Sequence, residues 1–245
     1  MSLVCENITK RFGGLTAVSH FESSFEAGAI TGIIGPNGSG KSVLINVISG
    51  YYKPEEGKVV FDQKDITGSN SHTVARLGIA RTFQHMRPLM KGTAIQNVAL
   101  GALFGRESGT MKTAMSEAYQ ICKEMEFGDL LSKSSDNLTT YERKKVEIAR
   151  AVATKPKILM LDEVMAGLNP AEVEYFVKMI KSIRDNRKAT IIIVEHILSA
   201  VMSLCERVIV LSNGRKIAEG LPREIVRDVG VIEVYLGKGL ASAKG

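Results

Sequence analysis

Apolar residues fall along this chain in short runs of strand length, separated by longer stretches in which they recur at helical spacing. Ile30-Thr31-Gly32-Ile33-Ile34, Ile158-Leu159-Met160-Leu161 and Ile191-Ile192-Ile193-Val194 are nearly unbroken runs, the pattern of strands buried on both faces. Val43, Leu44, Ile45, Val47 and Ile48 follow the first run as an apolar helix, and a helical stretch separates the second from the third. Such alternation predicts an α/β core around a parallel sheet. Strand signals also open the chain, from Leu3 to Ile8 and from Ala17 to Phe25, and Lys58-Val59-Val60-Phe61 and Leu77 to Phe83 read as two more. From about Gln84 to Arg150 the pattern turns mainly helical, a candidate subdomain. Asn213-Gly214 separates two strand-like runs and predicts a tight hairpin. Residues 238–245 read as a frayed tail, and no internal repeat or low-complexity tract interrupts the pattern.

Composition narrows the class. With 245 residues, 44% hydrophobic and 24% charged, the chain is expected to be a soluble globular protein with room for one large domain or a core with one insertion. No apolar run approaches the ~18 residues that span a bilayer. Met1 to Glu6 lacks a signal-peptide pattern, so a cytosolic chain is expected. Cys5, Cys122 and Cys205 are widely spaced without metal or redox patterning, and read as small buried hydrophobes. The formal net charge of +6 suits an anionic membrane surface or nucleic acid. It decides neither, because the basic residues are scattered.

The chemistry begins directly after the first buried run. Gly35-Pro36-Asn37-Gly38-Ser39-Gly40-Lys41-Ser42 fits the phosphate-loop pattern G-x-x-x-x-G-K-[ST] at every fixed position, between a strand and a helix. Small residues let the backbone curl so that successive N–H groups face phosphate oxygens, and the helix adds the positive end of its dipole. Lys41 is expected at the β and γ phosphates and Ser42 at a magnesium ion. Asp162 and Glu163 end the run Ile158 to Leu161, at the sheet edge where ligands bind. Asp162 is expected to hold magnesium through water, and Glu163 to orient or deprotonate the attacking water. His196 ends the following run and can reach the γ phosphate. Gln84 closes the run Gly78 to Phe83, where its amide can reach magnesium or the attacking water. Phe12 fits a base-stacking platform and a core position equally well. The acid pair read alone also fits a helix cap, His196 a structural histidine and Gln84 a polar loop residue.

Together these segments resemble a known family over nearly the whole chain. The phosphate loop, Gln84, Asp162-Glu163, Ala166-Gly167-Leu168-Asn169-Pro170 and His196 occur in the order and approximate spacing of ABC-transporter ATPase subunits. Gly78 to Gln84, Val146-Glu147-Ile148-Ala149-Arg150-Ala151, Ala166 to Glu172 and Val231 to Gly237 look like the branched-chain amino-acid importer branch. The resemblance implies an α/β P-loop NTPase fold: a RecA-like core with an antiparallel β subdomain (1–83 and 155–237) and an inserted helical signature subdomain (84–154). It implies ATP and Mg2+ as ligands, hydrolysis of ATP, and head-to-tail dimers with ATP between the chains. Further implied partners are transmembrane permease subunits, docking near the Gln84 segment at the cytoplasmic face of the membrane, and indirectly an extracytoplasmic solute-binding protein. Nucleic acid is not expected. Two alternatives stay beside the importer: a soluble ABC-type ATPase acting as assembly factor or switch, and a subunit for urea, amide or lipopolysaccharide transport.

One segment departs from the family. Its signature commonly reads L-S-G-G-Q, or L-S-Y-G-E-Q in this branch, where this chain has Leu138-Thr139-Thr140-Tyr141-Glu142-Arg143. Thr139 keeps a hydroxyl for the partner's nucleotide and, with Glu142, a capping-box spacing. Tyr141 stands in place of the second glycine. Its side chain is expected either to obstruct a phosphate or to need a backbone shape that tyrosine tolerates poorly. That weakness favours a heterodimer, with a partner carrying an intact signature, over a homodimer. Val164 replaces the proline usual after the catalytic glutamate, a change in loop stiffness.

Overall fold

A computed structural model describes residues 3–82, 92–105 and 109–236. Its elements run in the order β1 (Leu3–Phe12), β2 (Leu15–Phe25), β3 (Ile30–Ile34), α1 (Lys41–Ile48), β4 (Glu56–Phe61), β5 (Lys64–Asp65), α2 (Ser71–Arg76) and β6 (Ile79–Arg81). Then come α3 (Ala94–Phe104), α4 (Met111–Glu124), α5 (Thr140–Ala153), β7 (Ile158–Asp162), α6 (Pro170–Arg187) and β8 (Thr190–Val194). The chain continues through α7 (Leu198–Leu204), β9 (Arg207–Ser212), β10 (Arg215–Gly220), α8 (Pro222–Ile225) and α9 (Val229–Leu236).

Two sheets organise these elements. One is a four-stranded sheet in the order β2-β1-β4-β5 with antiparallel pairings, and the other has six strands in the order β10-β9-β3-β8-β7-β6. In the larger sheet β9, β3, β8, β7 and β6 are parallel neighbours, as the apolar runs predict, while β10 returns antiparallel at the edge. Asn213 and Gly214 both adopt positive φ, 48° and 76°, the conformation of the tight turn that matches strand twist.

The unbroken apolar strands are explained by burial on both faces. Ile158 and Met160 of β7, Ile192 and Val194 of β8, and Ile209 and Leu211 of β9 share a core with α1 and the smaller sheet. The intervening Leu159, Leu161, Ile191, Ile193, Val208 and Val210 point the other way, into a core with α3 to α7. Period-two alternation therefore sends successive apolar side chains into two cores. All three cysteines are free and buried.

Some expected boundaries shift. β1 runs on to Phe12, because bulges at Asn7 and His20, both at positive φ, let the pairing with β2 continue. The run Leu77 to Phe83 yields only the three-residue β6, since Leu77 caps α2; Phe83 lies outside the described residues. The expected tail 238–245 lies outside them too. Among the described residues no helix is long and apolar enough to cross a membrane.

Candidate active site

The parallel strands bring their carboxyl ends together. β3 leads into the loop Gly35 to Gly40, which is held in place by backbone bonds, Gly214 N–H to the Ser39 carbonyl (3.0 Å) and Ser39 N–H to the Pro36 carbonyl (3.2 Å). Gly40 precedes α1 at φ 102°, and a Cβ there would lie 2.4 Å from the Ala17 carbonyl oxygen. Only glycine fits. No side chain caps α1 and its first turn carries no acid, so its leading N–H groups have no competing side-chain acceptor. The Lys41 ammonium is buried and donates to the carbonyls of Gly35 (2.8 Å) and Pro36 (2.9 Å). Burial lowers its pKa, opposed by the negative charges of Glu163 and Asp162.

Asp162, at the end of β7, is buried. Its Oδ2 faces Arg81 Nη2 at 3.3 Å, and its N–H donates to the Thr82 hydroxyl at 3.1 Å. Burial raises its pKa, and the Arg81 charge opposes that rise. Its other oxygen, Oδ1, is buried without a hydrogen-bond partner among the described residues. An orphaned buried carboxylate oxygen close to a phosphate loop fits a hard cation with oxygen ligands.

Glu163 follows in a left-handed conformation, φ 51°, unusual for a residue with a side chain. Its N–H donates to the Val194 carbonyl at 2.9 Å. Its Oε1 lies 2.7 Å from His196 Nε2, so the acid and the imidazole form one hydrogen-bonded unit at neighbouring strand ends. A carboxylate oriented by an imidazole is equipped to accept a proton from water.

Phe12 is exposed at the end of β1 and stacks edge-on against Tyr52, centroids 5.1 Å apart, with Lys10 Nζ 5.2 Å from its ring. Of its two readings, the core position is therefore excluded. Gln84 lies outside the described residues.

Residues 18–166 match the model of the ABC transporter family, and residues 215–241 match that of the branched-chain amino acid ATP-binding cassette transporter. The chain belongs to the ABC transporter family. It is 35% identical over 249 residues to the high-affinity branched-chain amino acid transport ATP-binding protein LivG of Escherichia coli, covering 96% of this chain and 98% of that one. An ABC transporter ATP-binding cassette solved in its ADP conformation superposes with a TM-score of 0.88 at 34% identity, covering 97% of this chain and all of that one. A bacterial ABC transporter cassette solved as a dimer superposes with a TM-score of 0.82 at 25% identity, covering 90% and 99%.

The signature segment of this ABC cassette forms the capping box that its spacing predicts and departs from expectation at the backbone of Tyr141. Thr139 precedes α5 and accepts the Glu142 N–H at 3.2 Å, while the Glu142 carboxylate accepts the Thr139 N–H at 2.7 Å. In this closed capping box the Thr139 hydroxyl serves as the acceptor for the first turn of α5. Tyr141 lies within the first turn of α5 and is absent from the positive-φ residues. The strained backbone expected of it does not arise, because a capped right-handed helix starts one residue earlier. Its ring packs towards α6, 6.0 Å from Tyr175 and 5.6 Å from Phe176, with Lys145 Nζ 5.9 Å from the ring centre.

Several site neighbours escape sequence reasoning. Arg81 ties Asn46 and Ser49 of the α1 segment to Asp162, at 2.5, 3.1 and 3.3 Å. Glu195, nearly inaccessible, accepts the Met165 N–H at 2.7 Å, and burial pushes its pKa up to about 7. Tyr235 shares the wall of one cleft with Ile34, Glu195 and His196. An acid attached directly to the apolar run Ile191 to Val194 was a readable signal for Glu195. Arg81 and Tyr235 carry no signal outside their three-dimensional setting.

Proposed function

We propose that this chain is the ATP-hydrolysing motor subunit of an ABC importer for branched-chain or related amino acids. One observation carries the reading: a Glu163–His196 pair at 2.7 Å, just past the ends of the paired strands β7 and β8, of which β8 neighbours the strand leading into the phosphate loop, with the buried Asp162 alongside. The loop Gly35 to Ser42 holds the phosphates, Lys41 turns from its loop carbonyls to the β and γ phosphates, and the exposed Phe12 stacks on the base. Asp162 and the Ser42 hydroxyl would hold Mg2+, with Gln84 as a further expected ligand. The bound ion would neutralise charge developing on the phosphates. Glu163 accepts the proton of the attacking water, and His196 orients that carboxylate and senses the γ phosphate.

The partners follow from the same reading. Thr139 of one chain faces the nucleotide of a second ATP-binding subunit, and a heterodimer is favoured. A cleft of about 420 Å³ between α2, α3, α5 and strand β6 of the larger sheet, with Tyr51, Arg81, Phe104 and Glu147 on its wall, suits a permease segment at the cytoplasmic membrane face. Residues 84–154 form the moving helical subdomain against the core of 1–83 and 155–237. A solute-binding protein on the far side supplies substrate and selects it.

Glu163→Gln tests the assignment, since it preserves shape and removes the basic oxygen. ATP binding is expected to persist while turnover falls by about 10²- to 10⁴-fold, the usual range for a lost general base. Turnover equal to wild type would reject Glu163 as the acting base. Mass spectrometry of what purifies with the chain from its native membranes tests the importer: two permease subunits are expected, and soluble partners alone would overturn it.

A further inference from the structure

The turn that carries Glu163 is held from two sides by side chains of neighbouring segments. Residues Glu163 to Ala166 form a tight turn closed by the Ala166 N–H on the Glu163 carbonyl at 3.3 Å. Glu195, from the end of β8, takes the Met165 N–H on one edge. On the other edge Lys144, half-buried on α5, donates to the Ala166 carbonyl at 2.5 Å and reaches the Glu163 carbonyl at 3.4 Å. Burial lowers the Lys144 pKa, and Glu195, Glu147 and Glu163 act against that. The turn therefore has a cation on its carbonyl edge and a carboxyl on its amide edge.

Lys144 lies three residues after Tyr141, so the two project from one face of α5. The same helix end carries Thr139, and its first turn is anchored on α6 through Tyr141, Tyr175 and Phe176. Glu163 has a left-handed backbone that is not its own preference. A residue so placed keeps its conformation only when its surroundings over-determine it. Without the proline common after this acid, Val164 leaves the turn more dependent on those outside contacts.

We infer that Lys144 is a positioning residue: by binding the Glu163 and Ala166 carbonyls it ties the catalytic turn to the signature helix, so that the seat of α5 sets where the Glu163 carboxylate points. The inference rests on the reading of Glu163 as the acting base. It gives one chain a direct mechanical path between the loop that meets the partner's nucleotide and the acid that serves its own. Contacts at the Thr139 end of α5 would then be felt at Glu163 through one lysine, without passing through the sheet.

The test is steady-state ATP hydrolysis by the full-length chain in the complex that purifies with it, for wild type, Lys144→Met and Lys144→Arg. Lys144→Met keeps the stem and removes the donors. Its kcat is expected to fall about tenfold, in line with the cost of slight misplacement of a reacting group. KM for ATP and the melting temperature stay at wild-type values, and Lys144→Arg recovers most of the loss. Unchanged kcat in Lys144→Met would overturn the inference while leaving the proposed function intact. Parallel loss of kcat, ATP affinity and melting temperature, without recovery in Lys144→Arg, would also overturn it by reducing Lys144 to a structural role. Absence of ATP turnover in the wild-type complex would overturn the proposed function, and this inference with it.

Discussion

Helices α1 and α5 both present an N-terminus at a place where phosphate chemistry is proposed, and they begin in opposite ways. α1 starts from a left-handed glycine, with no side-chain cap and no acid in its first turn. α5 starts from Thr139 with a closed capping box and Glu142 in its first turn. The first arrangement leaves donors and dipole for an anion from outside; the second satisfies its donors within the chain. Glu142 is itself neutralised by Lys133 Nζ, at 2.7 and 2.8 Å from its two oxygens. The phosphate loop is thus shaped for a ligand at some cost in local stability, whereas the signature end is finished without one. One helix end is expected to report on nucleotide affinity, the other on fold stability.

Tyr141→Gly strains this comparison most. The substitution removes a half-buried ring from Tyr175 and Phe176 and adds glycine to a helix, together costing about 3 kcal/mol. For a chain of this size that lowers the melting temperature by about 6–12 °C, measurable by thermal unfolding. Family likeness alone makes the same substitution a restoration, since glycine is usual there. Turnover measured beside the melting curve separates the two. A stable variant that hydrolyses ATP faster than wild type would make Tyr141 an obstruction, and α5 would no longer be a finished helix end.

Legibility in the sequence follows the same division. The phosphate loop could be read because its chemistry is written in consecutive residues: a glycine at each tight point, a lysine, a hydroxyl, and an apolar run on either side. The buried strands could be read for a related reason, since a run such as Ile191 to Val194 has no polar face to offer water. The carboxyl ends of those strands then located Asp162, Glu163 and His196. For Tyr141 only the backbone half of the expectation falls: a tyrosine in place of glycine is weighed by backbone freedom in the sequence, while its seat depends on Tyr175 and Phe176, more than thirty residues further along. Lys144, Arg81 and Glu195 act on partners from 19 to 81 residues away, and those partners are fixed only when β6, β7 and β8 are laid side by side. Phe12 was undecided because β1 extends through a bulge that no local pattern announces.

Lys41→Ala acts on the open helix end. The ammonium is held by carbonyls of its own loop, and its proposed work is done on phosphate. Charge-assisted contacts contribute about 1.5–3 kcal/mol, so ATP affinity, measured by equilibrium binding to the full-length chain, is expected to fall by about 10- to 150-fold. The fold changes little, because the loop keeps its backbone bonds through Ser39 and Gly214. Undiminished ATP affinity would remove the phosphate loop from the proposed site.

Thr139→Ala makes the smallest change and probes the closed end. Alanine cannot accept the Glu142 N–H, and the box loses one of its two bonds. Loss of a threonine cap costs about 1 kcal/mol, a drop of about 2–4 °C in melting temperature. ATP binding by the isolated chain is expected to stay unchanged, because α5 caps itself and its N-terminus is proposed to serve a nucleotide held by another subunit. The comparison then turns on where a second effect emerges. If turnover of the assembled complex falls while the chain's own ATP affinity holds, the Thr139 hydroxyl proton reaches the partner's nucleotide as proposed. If turnover holds too, α5 contributes its stability and the grip on the catalytic turn, and Thr139 leaves the set of nucleotide-binding residues.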